Sequence, residues 1–329
     1  MHVFVTGGAG YIGSVTTELL LDAGHRVTVF DNLGRGHRAA IDTRASFIEG
    51  DLCDRDAIFG ALQTVQPDAV LHFAAFALVG ESMEHPQMYF QNNVVGGLNL
   101  ADAMLAAGTP KIVFSSTCAT YGQPDLVPIT EEEKQLPQNP YGESKLMFEK
   151  MLDWYRHIHG IQPVFLRYFN ACGATERFGE DHDPETHLIP LVLRVALGQR
   201  DEVKIFGRDY ATPDGTCIRD YIHIVDLAAA HICALEKDVV GAFNLGTGTG
   251  HSVLEVIEAC RAITGHAIPA TVVDRRPGDP ARLVASPRKA ERELGWKAQC
   301  TDIAAIVGSA WRWHQSHPQG YNPEVSAIA

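Results

Sequence analysis

Two side chains one helical turn apart carry the most telling chemistry in the sequence. Tyr141 and Lys145 bound the stretch Tyr141-Gly142-Glu143-Ser144-Lys145, directly after Pro140. Proline suits the first position of a helix, so the pair is expected at i and i+4 on one face. A free phenol, with a pKa near ~10, is a poor base at neutral pH. A lysine one turn away, helped by a positive nicotinamide, favours the phenolate and makes the tyrosine a candidate general base. A YxxxK pair on an exposed helix does no chemistry, so its weight depends on what surrounds it. Thr117 closes Ser115-Ser116-Thr117 after the predicted strand Lys111–Ser115. Hydroxyls at a strand's carboxyl end sit where ligands bind in open α/β folds, and Thr117 is read as the partner Tyr141 needs at a reacting hydroxyl; the alternative is an ordinary capping threonine.

A second constellation opens the chain. Thr6-Gly7-Gly8-Ala9-Gly10-Tyr11-Ile12-Gly13 follows a predicted strand and begins a predicted helix, Ile12 to Ala23, that stops at Gly24. Glycines at 7, 10 and 13 permit a tight turn, close approach of backbone to a pyrophosphate, and close helix–strand packing. The pyrophosphate is expected on the helix N-terminus, against free N–H groups and the positive end of the macrodipole. Asp31 ends the next strand, Arg26 to Phe30. A carboxylate there accepts both ribose hydroxyls and repels a 2′-phosphate, which favours NAD over NADP, although Arg35 just beyond would tolerate one. In Gly50-Asp51-Leu52, Asp51 suits the adenine amino group; the alternative is an N-cap for the helix Asp54–Val65.

These residues need a scaffold, and the sequence supplies one. Short β-rich runs (Val3–Val5, Arg26–Phe30, Ser46–Glu49, Ala69–Phe73, Lys111–Ser115, Pro163–Tyr168) alternate with helical stretches such as Gln87–Ala107 and Tyr141–His159. Such alternation predicts an α/β fold: a doubly wound, Rossmann-type parallel sheet covered on both faces. Residues 1–170 are read as the NAD-binding domain. Residues 171–329, broken by Pro184, Pro190, Gly198, Gly207, Pro213 and Gly215, are read mainly as a smaller α/β substrate lobe. Segments near 215–250, including the strand Val239–Leu245, are expected to return to the sheet.

Bulk composition narrows the partners. The 329 residues are 46% hydrophobic and 20% charged, as in a soluble globular enzyme. A net charge of -13 argues against a nucleic-acid surface, which needs clustered Lys and Arg. The seven cysteines are scattered without a CxxC pair, and His157 and His159 sit two apart, off a shared helix face. Neither a disulfide framework nor a metal site is expected. No run approaches ~20 apolar residues and no signal-type segment opens the chain, so a cytoplasmic protein without a membrane span is expected.

At these motifs the chain resembles the UDP-hexose 4-epimerases of the extended short-chain dehydrogenase/reductase family. TGGAGYIGS, FDNLGRG, EGDL, HFAA…VGES, the NN of Gln91-Asn92-Asn93, FSSTCATYG, NPYGESK, LRYFNACGA, DGTCIRDYIHIVDLA, NLGTG and RRPGD occur in the family's order, from Met1 to about residue 321. The resemblance implies interconversion of UDP-galactose and UDP-glucose with NAD as a bound catalytic cofactor. Carbon 4 is transiently oxidised, the keto-sugar rotates, and hydride returns to its other face. It implies Tyr141 as the base at the 4-hydroxyl, assisted by Thr117 and tuned by Lys145. It assigns NAD contacts to Gly7, Gly10, Tyr11, Ile12, Gly13, Asp31, Asn32, Asp51, Leu52, Phe73, Ala74, Asn92, Tyr141, Lys145 and Tyr168. It assigns the UDP-hexose to Thr117, Tyr141, Asn170, Phe206, Arg219, Arg276 and Asp279, no metal to the reaction, and a homodimer to the assembly. Arg219 and Arg276 supply cations suited to bidentate phosphate contacts, whereas Arg275 is the better candidate for a surface ion pair.

Two positions depart from the family pattern. Phe76-Ala77 stands where some members place a lysine on the cofactor phosphates. Leu283, at the wall facing the sugar's 2-substituent, is neither the large Tyr nor the small Cys or Gly, which leaves N-acetylated sugars open. A 4,6-dehydratase would need an acid–base pair after Thr117, where Cys118 and Ala119 stand. A non-enzymatic NAD-binding regulator would have no use for both Tyr141 and Lys145.

Overall fold

Near-continuous apolar runs such as Val3-Phe4-Val5 and Val70-Leu71 suit strands covered on both faces, and all five of these side chains are fully buried. The computed structural model describes residues 1–276 and 278–321. The chain begins with β1 (His2–Thr6), α1 (Tyr11–Asp22), β2 (Arg26–Asp31), β3 (Ser46–Glu49), α2 (Arg55–Val65) and β4 (Ala69–His72). Helices α3 (Val79–Glu84), α4 (Pro86–Tyr89) and α5 (Gly96–Ala107) follow, then β5 (Lys111–Thr117), α6 (Pro140–His159) and β6 (Gln162–Tyr168). Next come β7 (Asn170–Cys172), α7 (Leu188–Ala196), β8 (Val203–Phe206), β9 (Ile218–His223), α8 (Ile224–Glu236) and β10 (Gly241–Leu245). The last elements are β11 (Gly250–Ser252), α9 (Val253–Thr264), β12 (Ala270–Val273), β13 (Arg282–Leu283) and α10 (Ile303–Ser316).

Seven strands form one parallel sheet in the order β10-β6-β5-β4-β1-β2-β3. The order reverses between β1 and β4, so the crevice outside their carboxyl ends is the natural ligand site of this doubly wound arrangement. Register decides who meets there: Thr6 pairs with Phe30 and His72, and Thr117 with Tyr168. One face of the sheet is covered by α1 and α8, whose Val15, Leu20, Leu227 and Leu235 share a core with Val3 and Val29. The other face is covered by α2, α5 and α6 through Leu62, Leu100, Met104 and Phe148. Later segments build a smaller unit in which β9 pairs with β11, β13 and β7, and β8 with β12. A third core joins α7, α9 and α10 through Val192, Ile257 and Val307.

The stretch Gln87–Ala107 is not one regular helix. Between α4 and α5 the six residues Phe90–Val95 form a π-helical turn. That turn carries Asn93 inward, where it accepts from Phe76 N at 2.9 Å and donates to Phe76 O and Ser144 Oγ at 3.0 Å. Such widened turns gather at functional sites, and this one pins the segment after β4 to α6.

Candidate active site

Helix α6 starts where its sequence says it should. Asn139 Oδ1 accepts from Gly142 N at 2.8 Å, and Pro140 occupies the first turn. That start sets the helix phase, so Tyr141, Lys145 and Glu149, each four residues apart, share one face. Lys145 Nζ donates to Ser115 O at 2.8 Å and lies 4.8 Å from the Phe114 ring. Burial brings its pKa down to about 7, with the Glu149 carboxylate opposing the shift. Thr117, buried at the end of β5, sits beside Tyr141, and a bond from its hydroxyl favours the phenolate.

The phenol itself departs from expectation. Burial pushes Tyr141 up to about 12, against the opposing Thr117 bond. Lys145 was expected to lower it. The same burial disfavours both charged forms, and the ammonium is turned to Ser115 O, 6.0 Å from the Tyr141 ring. The chain alone therefore holds a neutral tyrosine beside a lysine that readily loses its proton.

Beneath the pair lies a polar network that the sequence reading missed. Glu149 accepts from Arg167 Nε at 2.9 Å, from Arg167 Nη2 at 2.5 Å and from Ser116 Oγ at 2.5 Å. Arg167 Nη1 donates to Tyr121 OH at 3.0 Å, and that hydroxyl donates to Asn244 Oδ1 at 2.7 Å. This buried set links α6, β5, β6 and β10. Its one legible signal was Glu149 continuing the four-residue spacing of Tyr141 and Lys145.

At the other end of the crevice the glycine turn behaves as a cradle. Gly7 has φ +73°, and a Cβ there would lie 2.4 Å from Ala74 N; one on Gly13 would lie 2.2 Å from Gly7 O. Gly10 caps α1 without a side-chain bond, so the first-turn N–H groups around Tyr11, Ile12 and Gly13 remain available to an anion. Asp31 Oδ2 accepts from Ala9 N at 3.0 Å and Oδ1 from Leu33 N at 2.9 Å, which ties the end of β2 to the turn. Each oxygen keeps acceptor capacity for a diol. Asn32 Nδ2 donates to Asp51 Oδ2 at 2.8 Å, joining the ends of β2 and β3 beside buried Leu52. The N-cap of α2 is Asp54, not Asp51. Arg35 is engaged with Glu81 at 2.5 Å and stacks 5.5 Å from the Phe76 ring, so its charge is already paired. Phe73 packs against His231, and Asn92 Nδ2 donates to Asn93 Oδ1 at 2.9 Å. Tyr168 OH bonds Ser115 Oγ at the strand end. A turn that only glycine can make, free helix N–H groups and an acid at the adjacent strand end together fit a dinucleotide.

The remaining candidates come from the later segments. Asn170 Nδ2 donates to Asp220 O at 3.1 Å. Arg276 lies over the Phe206 ring at 4.0 Å, and Arg219 pairs with Asp279. Arg275 instead pairs with exposed Asp209 at 2.6 Å. The Arg219 guanidinium is near enough to Cys118 to oppose the burial that raises that thiol to about 12. Gly278 lies against Gln138, just ahead of α6. Leu283 packs with Cys118 against the cluster of Tyr121, Ile129, Phe169 and Ala285. Asp220, which the sequence reading passed over, is fully buried and accepts from Thr247 N, Thr247 Oγ1, Gly248 N and Ala285 N. It fastens the NLGTG loop to β9.

The chain is similar to known proteins over nearly its whole length. A UDP-glucose 4-epimerase of Halalkalibacterium halodurans is 53% identical over 98% of both chains. The crystal structure of UDP-glucose 4-epimerase from Bifidobacterium longum in complex with NAD+ and UDP superposes with a TM-score of 0.93 at 40% identity, covering 97% of this chain and 100% of that one. The UDP-Glc/GlcNAc 4-epimerase from Campylobacter jejuni gives 0.86 at 37% identity, covering 96% and 99%. Residues 3–246 match the model of one family. This chain belongs to the NAD dependent epimerase/dehydratase family.

Proposed function

We propose that the chain is an NAD-dependent isomerase that interconverts UDP-galactose and UDP-glucose at carbon 4. The observation that carries this reading is the Tyr141–Lys145 pair meeting Thr117 at the end of β5, in the crevice that also holds the glycine turn. NAD, when bound, supplies the hydride acceptor and donor at carbon 4, so that the sugar passes through a 4-ketone, and adds a positive ring that favours the phenolate. Tyr141 Oη takes the proton of the 4-hydroxyl and returns it once the ketone has turned its other face. Thr117 positions that hydroxyl by a hydrogen bond. Lys145 holds the nicotinamide ribose, and with Nζ protonated in the filled site its charge would favour the Tyr141 anion. Asp31 holds the adenosine ribose hydroxyls, and the first turn of α1 holds the pyrophosphate.

On the substrate side, Arg219 and Arg276 grip the diphosphate, each guanidinium having more N–H donors than its present contacts use. Phe206, Asn170 and Asp279 hold the uridine. A 4,6-dehydratase is disfavoured because Cys118, with its thiol raised to about 12, and Ala119 follow Thr117. Leu283 supports a preference for UDP-galactose over UDP-N-acetylgalactosamine. Residues 1–170 act as the cofactor domain and the later segments mainly as the substrate lobe.

A homodimer is supported by exposed Leu98 and Leu105 on α5 and by Met147, Trp154 and Ile158 on α6. An apolar stripe on two adjoining helices fits a second copy of itself. The seven free cysteines suit a cytoplasmic, reducing compartment, and no helix among the described residues is long and apolar enough to cross a membrane. The test is incubation of purified protein with UDP-galactose and no added NAD. UDP-glucose should form to equilibrium; an absence of conversion even with NAD supplied would overturn the reading.

A further inference from the structure

Between β7 and α7 the sequence places four potential metal ligands within eight residues, Glu180, His182, Glu185 and His187. Their ligand atoms all lie within 4.8 Å of one another. His187 Nδ1 is 2.6 Å from Glu180 Oε1 and 3.4 Å from Glu185 Oε1, and His182 Nδ1 is 3.2 Å from Glu180 Oε1. Proximity alone would describe a knot of ion pairs. The directions say otherwise. Glu180 is only 4% exposed, yet its Oε1 has no hydrogen-bond partner, and neither has His182 Nδ1 nor Glu185 Oε2. The groups crowd together at ion-pair distance, yet these three atoms meet no partner with hydrogen-bond geometry, a deficit that an ion held among them would satisfy. The other Glu185 oxygen, Oε1, accepts from Thr186 N and His187 N at 2.7 and 2.8 Å, which fixes the carboxylate as an outer shell fixes a ligand.

We propose that Glu180, His182, Glu185 and His187 bind one divalent transition-metal ion, with Zn²⁺ the best match. Two imidazole nitrogens with two carboxylate oxygens suit Zn²⁺ in tetrahedral geometry, at ~2.0–2.2 Å per ligand, better than they suit the all-oxygen shells of Mg²⁺ or Ca²⁺. Ligands ~3.4 Å apart round a tetrahedral ion require His187 Nδ1 to draw back from Glu180 Oε1 and the more distant atoms to close up. His187 is half exposed, which leaves the site open to entry from solvent. A cavity of about 40 Å³ bounded by Glu180, His187, Asn170, Cys172, Ile189 and Tyr221 has room for a metal-bound water.

The ion would act as a staple. The loop it closes touches the cofactor half at several points: Gly173 O accepts from Tyr11 OH at 2.6 Å, Asp183 O from Arg35 Nη1 at 3.0 Å, and Asp181 O lies 3.0 Å from His37 Nε2. Tyr11 also meets the His182 ring edge-on at 6.1 Å. A metal here would stiffen the loop that makes these contacts near the N-terminus of α1.

The test uses tag-free, NAD-loaded protein made in medium supplemented with zinc. Elemental analysis should find about one zinc per chain. After chelation, Tm should fall, and restoring Zn²⁺ at about a hundredfold excess over Kd should raise it by about 4 °C. Replacement by Co²⁺ should give visible d–d absorption saturating at one equivalent. His187→Ala, a change at a half-exposed ring, should lose the zinc and the cobalt spectrum while keeping its fold. Wild-type protein that carries no stoichiometric metal, gives no cobalt bands and shows the same Tm with chelator and with Zn²⁺ would reduce the cluster to ion pairs and overturn the proposal. Should His187→Ala fail to fold, the wild-type metal count and cobalt spectrum decide by themselves.

Discussion

A tyrosine held near 12 by burial is a poor base at neutral pH, so Tyr141 depends on charge gathered round it when the site is filled. Tyr141→Phe removes only the phenol oxygen. Turnover should fall by about 10²–10⁴ or more, with NAD still bound, since losing a general base costs that much; single-turnover kinetics with cofactor quantification checks both. Leu283 is the proposed wall against the sugar's 2-substituent. A packed wall resists an added acetamido group by roughly 1–3 kcal/mol, or about one to two orders of magnitude in specificity. Leu283→Gly should therefore raise kcat/KM for UDP-N-acetylgalactosamine without raising it for UDP-galactose, and equal wild-type values for the two sugars would remove Leu283 as the gate. Tyr141, Lys145, Thr117, Asp31 and the glycines were legible because each belongs to a local spacing with a stated chemistry. Glu149 with Arg167 was not, because an ion pair between a helix and a strand eighteen residues on has no local pattern.

Elements show the same division. Strands β1 to β6 announce themselves by short apolar runs, and α6 by its Asn-Pro start and Gly160 stop. The π turn at Phe90–Val95 escaped notice because one widened turn barely disturbs a helical apolar period. The small sheet around β9 was equally hidden. Its strands are two to six residues long, and buried Asp220 assembles them by accepting from loops 27 to 65 residues away. At this scale the Glu149–Arg167 pair binds α6 to β6. Arg167→Met leaves a buried carboxylate without its partner and should cost about 3–5 kcal/mol in chemical denaturation. The double variant Glu149→Leu/Arg167→Met should recover a large part of that loss, because no charge is then stranded. A double variant no more stable than the single one would show that the pair does not act as a unit.

For the molecule as a whole, two surfaces join in the account: the crevice at the carboxyl end of the sheet and the apolar stripe on α5 and α6. Trp154→Glu puts a charge in the middle of that stripe. On the proposed homodimer, sedimentation should show a dimer for the unaltered protein and a monomer for the variant, and an unchanged mass would place the interface elsewhere. The crevice bears the central claim, that hydrogen leaves carbon 4 and returns to the same sugar within one closed site. The most direct test mixes UDP-galactose deuterated at carbon 4 with undeuterated UDP-galactose marked by ¹³C, and reads the UDP-glucose by mass spectrometry. Deuterium should be retained at carbon 4 and never appear on the ¹³C-marked product. Deuterium lost to water, or exchanged between the two populations, would contradict that claim.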